Sequence, residues 1–362
     1  MRLKERISMD LIKTLRCSEY KINISDIGLD LVFSNSLLSE GGLSSTIQNV
    51  QCDNYNNIVP PDVGAVSLEN VMQRINSMRD IYGTQNGHIN IAISGANYSP
   101  NKRSHAWIGI GMKTHNIHLD VYYHVTLPYE PNTMDRARTN LYFANIFRNL
   151  LDYYISGEKI SPKTLKSLGV DGVYDERYSI EDLTNFVIEK GIGVVSHFKD
   201  RFYVPRTEDI LRLTAVIYRG SFNPPTKFHI EVISKYGALV ELTTKHFEKD
   251  LQALIPMHHR VKMLLFFTPF VLISNVAKFQ ELDDSLQGIN KHDYIYLLGS
   301  DVYDKVDPKD PVFNRLRKVD PDHYRTKIYR ATDYRNTNNS EIVSPLVHKY
   351  MNKRLEYFKC SK

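Results

Sequence analysis

The sequence predicts a two-domain α/β protein. Apolar runs of strand length alternate with amphipathic runs of helix length, Gly- and Ser-rich stretches fall at the ends of the strand runs, and 362 residues suffice for two cores. A hydrophobic fraction of 42% and a charged fraction of 24% belong to a globular chain. The net charge of +5 comes without a dense Lys/Arg tract, so no nucleic-acid partner is expected, and only a local basic pocket for phosphates fits. Cys17, Cys52 and Cys360 have neither disulfide nor metal-ligand spacing, which predicts a reducing, cytoplasmic setting and no protein-held metal. The apolar run from Val261 to Val276 is interrupted by Lys262, Pro269 and Ser274, so no membrane span and no membrane partner are expected. The first 22 residues are basic and amphipathic, with Met9, Ile12 and Leu15 on one stripe. Glu5, Asp10 and Glu19 argue for a docked helix over a transit peptide.

In order, Leu29-Asp30-Leu31-Val32-Phe33 is expected as a strand, and Ser39-Glu40-Gly41-Gly42-Leu43-Ser44-Ser45 as a small-residue loop entering a helix. Val63-Gly64-Ala65-Val66-Ser67 precedes a long helix capped by Ser67, with Val71, Ile75 and Met78 on one face. His88 to Ala96 reads as a strand ending in a second small-residue loop. Ala106 to Gly111 and Ile117 to Val125 read as a hairpin across Lys113 to Asn116. Asp135 to Tyr154 reads as a helix with Leu141, Ala144, Ile146, Leu150 and Tyr154 as apolar positions.

This succession resembles the C-terminal domain of the competence and damage-inducible proteins CinA, a family that includes nicotinamide mononucleotide deamidases. Gly41-Gly42-Leu43 is similar to its Thr-Gly-Gly-Leu loop, and Gly64-Ala65-Val66-Ser67 to its Gly-Ala-Val-Ser helix start. Ile93-Ser94-Gly95-Ala96 stands for its Thr-Gly-Ile-Ala-Gly-Pro loop, Ala106-Trp107-Ile108-Gly109 for the next strand, and Arg136 and Arg138 lie near its Arg-x-x-x-Arg position. The resemblance covers residues 1–157. The family's Glu-Ser-x-Thr is Leu37-Leu38-Ser39-Glu40 here, and its Tyr-Ser-Asn-x-x-Lys is Tyr55-Asn56-Asn57-Ile58-Val59-Pro60, with no Lys. A nucleophile needs such a neighbouring base, so the resemblance implies a degenerate domain without deamidation. A retained mononucleotide pocket and a structural or dimerising role, which would make a homo-oligomer through this domain, are both open.

Residues 158–208 are expected as an ordered connector, with a helix from Ile180 to Glu189 ending at Gly191 and short strands over Gly193 to Phe198 and Arg201 to Val204. The second domain is expected over 209–362. It opens with the apolar run Leu213 to Tyr218, followed by Gly220-Ser221-Phe222-Asn223-Pro224-Pro225-Thr226 and then Lys227-Phe228-His229, with Ile230, Ile233 and Tyr236 at helical spacing. That is strand, tight loop, helix. Gly220 permits close backbone approach, and Thr226 and His229 share a helix face. Backbone amides, a helix N-terminus and an imidazole at one place suit an anion such as a triphosphate.

These residues resemble the first signature of the nucleotidylyltransferase superfamily, in the form found in nicotinamide and nicotinate mononucleotide adenylyltransferases. Thr226 and His229 match its Thr/His-x-Gly-His core, and Phe228 stands where Gly is usual. Met257-His258-His259-Arg260-Val261-Lys262-Met263-Leu264 is similar to the family's His-Arg segment, with Val261, Met263 and Leu264 as core. Tyr294-Ile295-Tyr296-Leu297-Leu298-Gly299-Ser300-Asp301 is similar to its Gly-x-Asp at a strand end. Thr337 to Val343 occupies the place of its Ile-Ser-Ser-Thr-x-x-Arg; Ser340 remains, but the Arg is Val343. Arg325, Lys327, Arg330 and Arg335 lie upstream as alternative cations, and Tyr303 or Phe313 as the aromatic that stacks on nicotinamide.

The resemblance implies a Rossmann-like domain with a parallel sheet, transferring adenylyl from ATP, with Mg²⁺, to nicotinamide mononucleotide and giving NAD and pyrophosphate. Both domains resemble families that handle this mononucleotide, which selects it as the small-molecule acceptor. Thr226, Lys227 and His229 are expected on the ATP phosphates, and Gly220, Ser221, Phe222 and Asn223 to hold the substrates through their backbone and the Asn amide. Gly299 and Asp301 are expected near the ribose or base, and Ser340 as a phosphate donor. The alternative is a nucleotide-binding pseudoenzyme, a sensor or assembly subunit, to which Phe228, Val343 and the lost deamidase residues point.

Overall fold

The computed structural model describes residues 6–29, 31–39, 43, 45–52, 66–82, 87–96, 103–114, 117–127, 136–198, 201–244, 255–319 and 331–354. They sort into two units, Met1–Arg177 and Tyr178–Lys362, each built on its own β-sheet.

The first unit runs α1 (Arg6–Cys17), β1 (Lys21–Ile27), α2 (Val32–Leu38), β2 (Ile47–Cys52), α3 (Leu68–Tyr82), β3 (His88–Ala96), β4 (His105–Thr114), β5 (Ile117–Thr126), α4 (Arg136–Ser156), α5 (Pro162–Ser167) and β6 (Val170–Asp175). The sheet order is β2-β1-β3-β4-β5-β6, with β1 parallel to both β2 and β3 and the remaining pairs antiparallel. Helix α3 packs on β3 and β4, as its buried Val71, Ile75 and Met78 require. Gly109 lets it approach, since a Cβ there would lie 2.6 Å from Val71. The α3 cap is Ser67, whose Oγ accepts from the Asn70 amide at 3.1 Å.

Three expectations for this unit are corrected. Leu29 to Phe33 is not a strand: Leu29, Phe33 and Leu37 are all buried and recur every fourth residue, the period of the helix that α2 forms. The strand lies earlier, at Lys21–Ile27, where buried Asn23, Ser25 and Asp26 conceal the apolar signal. The described residues after Leu43 lead into β2 and not a helix; Gly41, Gly42, Gly64 and Ala65 lie outside the described residues. In α4, Leu141 is exposed, while Phe143, Phe147 and Leu151 join Ala144, Leu150 and Tyr154 in the core.

The second unit runs α6 (Ile180–Lys190), β7 (Ile192–Phe198), β8 (Arg201–Tyr203), α7 (Thr207–Leu211), β9 (Val216–Gly220), α8 (Lys227–Tyr236), β10 (Leu239–Thr243), α9 (Met257–Leu264), β11 (Phe270–Ser274), α10 (Phe279–Gln287), β12 (Ile295–Leu298), α11 (Ser300–Tyr303), β13 (Leu316–Lys318), α12 (Ala331–Thr337) and α13 (Pro345–Asn352). Its sheet order is β13-β12-β9-β10-β11-β7-β8. The first five strands in that order are parallel, and β7 and β8 add an antiparallel hairpin that covers the β11 edge. Residues 158–208 are therefore divided between the units: β6 extends the first sheet, and α6, β7, β8 and α7 belong to the second. Helix α6 stops where expected, at Gly191, with φ 97°.

The chain order of the parallel strands reverses at β9. From there β10 and β11 extend the sheet one way, and β12 and β13 the other. In doubly wound sheets this reversal opens a crevice beyond the strands' C-terminal ends. Here the strand ends flanking that point lead into residues 221–226 after β9 and Gly299 after β12.

Candidate functional site

Strand β9 delivers the chain to Gly220, beside β12 through the register pair Tyr218 and Leu297. The loop that follows is tightly folded. Phe222 adopts φ 42°, a left-handed conformation uncommon for a bulky residue, and is buried. Its ring lies edge-on to Tyr218 at 5.3 Å and to His229 at 5.0 Å between centroids. This packing accounts for Gly220, where an added Cβ would sit 2.9 Å from the Phe222 ring. The glycine makes room for its own loop, not only for a ligand.

Helix α8 begins with a reciprocal cap. The Thr226 amide donates to His229 Nδ1 at 2.9 Å, and the His229 amide to Thr226 Oγ1 at 3.4 Å. Since Nδ1 accepts from a backbone N–H, the proton of the neutral imidazole resides on Nε2, which makes that atom a donor. Thr226 is fully buried, and its hydroxyl lies 2.9 Å from His229 Nδ1. Lys227 donates its amide to the Ile342 carbonyl at 3.0 Å, which brings the turn carrying Ser340 against the start of α8. Ser340 is exposed on that turn.

Other expected residues are placed differently. Val343 is wholly buried with Ile255, Met263, Tyr334, Ile342 and Val347, so its position presents no group to the site. Arg335 reaches the site instead: its Nη1 donates to the Asn223 carbonyl. Arg325, Lys327 and Arg330 lie outside the described residues, as does the Asp301 side chain; Gly299 is the residue that opens α11. The Tyr303 and Phe313 rings lie tilted at 40° with centroids 5.7 Å apart and pack against the core. Asn223 is 2% exposed; its Oδ1 accepts from the Ile255 amide at 2.9 Å, while its Nδ2 is buried without a protein partner. Among the described residues, the Phe222 and Asn223 amides donate to no protein group.

Sequence reasoning placed Arg260 in the segment similar to the family's His-Arg but gave it no contact with the loop after β9. Arg260 is 4% exposed and donates from Nε to the Ile255 carbonyl at 2.9 Å and from Nη1 to the Ser221 carbonyl at 2.9 Å. Burial pushes its guanidinium down to about 10, and no carboxylate pairs with it among the described residues. The signal in the sequence was the His259-Arg260 pair at the start of α9. Arg219, one residue before Gly220, differs: Glu241 lies 3.2 Å from its Nε, and its Nη2 donates to the Val276 carbonyl at 2.7 Å. Burial raises the Glu241 carboxyl, opposed by Arg219 and the Ser274 hydroxyl.

The strand order and the loop define a two-unit α/β protein whose second sheet is doubly wound, with a candidate anion site at the switch point. Neither a family model nor a curated protein sequence matches the chain. Similar solved structures include the competence/damage inducible protein CihA from Agrobacterium tumefaciens, at 13% identity and a TM-score of 0.32, covering 40% of this chain and 91% of that one. A competence or damage-inducible protein from Enterobacter asburiae is 14% identical, with a TM-score of 0.33 over 41% of this chain and 96% of its own. A CinA superfamily protein from Klebsiella pneumoniae is 10% identical, with a TM-score of 0.33 over 42% and 96%. Likenesses at this level carry no activity to the chain.

Proposed function

We propose that the second unit binds ATP at the ends of β9 and β12 and transfers its adenylyl group to nicotinamide mononucleotide. The observation that carries this reading is the loop after β9: two of its amides have no protein acceptor among the described residues, His229 at the start of α8 carries its donor on Nε2, and the guanidinium groups of Arg260 and Arg335 hold the Ser221 and Asn223 carbonyls. A phosphate oxygen of the acceptor attacks the α-phosphorus, the bond from that phosphorus to the bridging oxygen breaks, and pyrophosphate leaves with the electron pair. No protein nucleophile enters, so the residues act by positioning and by stabilising phosphate charge. His229 Nε2 and the loop amides donate to phosphate oxygens, and Lys227 adds charge at the start of α8. Among the described residues no group of three or more His, Cys, Asp or Glu side chains is arranged to hold a metal ion. Mg²⁺ would accompany the nucleotide and balance charge on its phosphates.

Burial of Val343 favours a second reading, in which the pocket holds nucleotide without turnover. Purified chain with ATP, Mg²⁺ and a panel of mononucleotides separates the two. Pyrophosphate release with nicotinamide mononucleotide supports transfer; saturable ATP binding without release from any acceptor supports the sensor.

No helix among the described residues is long and apolar enough to cross a membrane.

A further inference from the structure

Arg260 is tied into a closed ring. Its Nη1 holds the Ser221 carbonyl and its Nε the Ile255 carbonyl, both at 2.9 Å, while the Ile255 amide donates to Asn223 Oδ1 at 2.9 Å. The ring grips the loop on either side of Phe222, the residue in the left-handed conformation. Across a trans peptide the C=O and N–H point in opposite directions. With the Ser221 carbonyl held by Arg260, the Phe222 N–H is turned away from the guanidinium, and it donates to no protein group among the described residues.

The charge itself is the second part. A buried cation is costly unless an acid pairs with it, and two neutral carbonyls compensate it only in part. Arg219 has Glu241 at 3.2 Å, whereas Arg260 has no such partner among the described residues. An anion bound in front of the loop would complete the balance, at a depth where water screens little.

We propose, resting on the nucleotide reading for the ligand's identity, that Arg260 is a positioning residue: it sets the loop amides through the Ser221 carbonyl and selects polyphosphate over uncharged ligands. Full-length wild type, Arg260→Gln and Arg260→Lys are titrated by calorimetry with adenosine, AMP, ADP, ATP and inorganic tripolyphosphate at fixed ionic strength, with thermal unfolding as the check on folding. Arg260→Gln is expected to weaken ATP and tripolyphosphate by about tenfold or more, the size of one charge-assisted hydrogen bond. The loss should shrink from ATP to AMP and vanish for adenosine. Arg260→Lys keeps the charge but cannot bridge two carbonyls, so it should recover only part of the ATP affinity.

An equal loss for adenosine and ATP would reveal a merely structural role and overturn the proposal, as would ATP binding within about twofold of wild type. Should Arg260→Gln fail to fold, Arg260→Lys decides: weaker ATP with unchanged adenosine supports the proposal, and no change in either overturns it. Wild type that binds tripolyphosphate through Arg260 but no nucleotide would remove the nucleotide reading and leave this inference standing. Wild type that binds neither overturns both.

Discussion

Both units bury polar and charged side chains and pair most of them, but Arg260 in the second unit departs from the ion pairs of the first. In the first, Asn49 donates to Asn23 at 2.8 Å and Asn23 to Asn90 at 2.9 Å, a ladder across three adjacent strands. His124, fully buried, sits between Asp171 and His105, the latter 3.0 Å away, and Thr126 donates to Asp171 at 2.9 Å. Arg177 forks onto Asp175, which also accepts from Tyr123 at 2.8 Å. Each of these acids has its base. By contrast, Arg260 on α9 donates to the Ser221 and Ile255 carbonyls and has no carboxylate partner among the described residues. A polar network that closes on itself fixes a fold, and one left open in charge has a vacancy that a ligand can fill.

The contrast breaks most sharply at Arg177. Arg177→Met abandons a carboxylate that is 1% exposed and should lower stability by about 3–5 kcal/mol in urea unfolding. Arg260→Met should lose less, because removing an uncompensated charge offsets two lost carbonyl bonds. Equal losses would erase the distinction.

His229 separates fold from chemistry. His229→Ala should lower any transferase activity by about 10²–10³-fold and stability by about 1 kcal/mol through the lost cap. His229→Asn offers an acceptor to the Thr226 amide in place of Nδ1, so it should restore stability without activity. Restored activity would mean that the imidazole only caps α8.

Gly220→Ala presses a Cβ to 2.9 Å from the Phe222 ring and should cost about 1–3 kcal/mol. Combining it with Phe222→Leu should recover part of that loss, because the two sites touch. Purely additive losses would show that the ring is not the reason for the glycine.

The smallest effect is one of pH. Burial, with His258, Arg354 and Lys262 nearby, pushes the His259 imidazole down to about 4. Folded His259 stays neutral where the unfolded chain, with a pKa of about 6.5, takes up a proton. Its contribution is thus fully present above about pH 6.5 and is lost as pH falls toward about 4. His259→Gln should flatten thermal stability over that window, and an unchanged slope would remove His259 as its source.

Much of this was legible in the sequence. The face Val71, Ile75, Met78, the strand His88–Ala96, the stop at Gly191 and the succession of strand, loop and helix from β9 into α8 all follow from local period and turn chemistry. Strand β1 was not, because Asn23, Ser25 and Asp26 fill buried positions that the apolar period would mark. Within the site, the identity of the loop could be read, but not its economy. Thr226 turned inward to cap α8, Gly220 yielded to Phe222, and Arg260 reaches Ser221 across 39 residues of chain, a contact no local pattern records.

Hydrogen exchange of the full-length chain, followed by mass spectrometry with and without ATP, tests the central claim most directly. The account predicts slowed exchange in peptides that carry the Phe222 and Asn223 amides, reversed by competing tripolyphosphate and diminished in Arg260→Gln. Unchanged exchange across residues 219–229 at saturating ATP would contradict it.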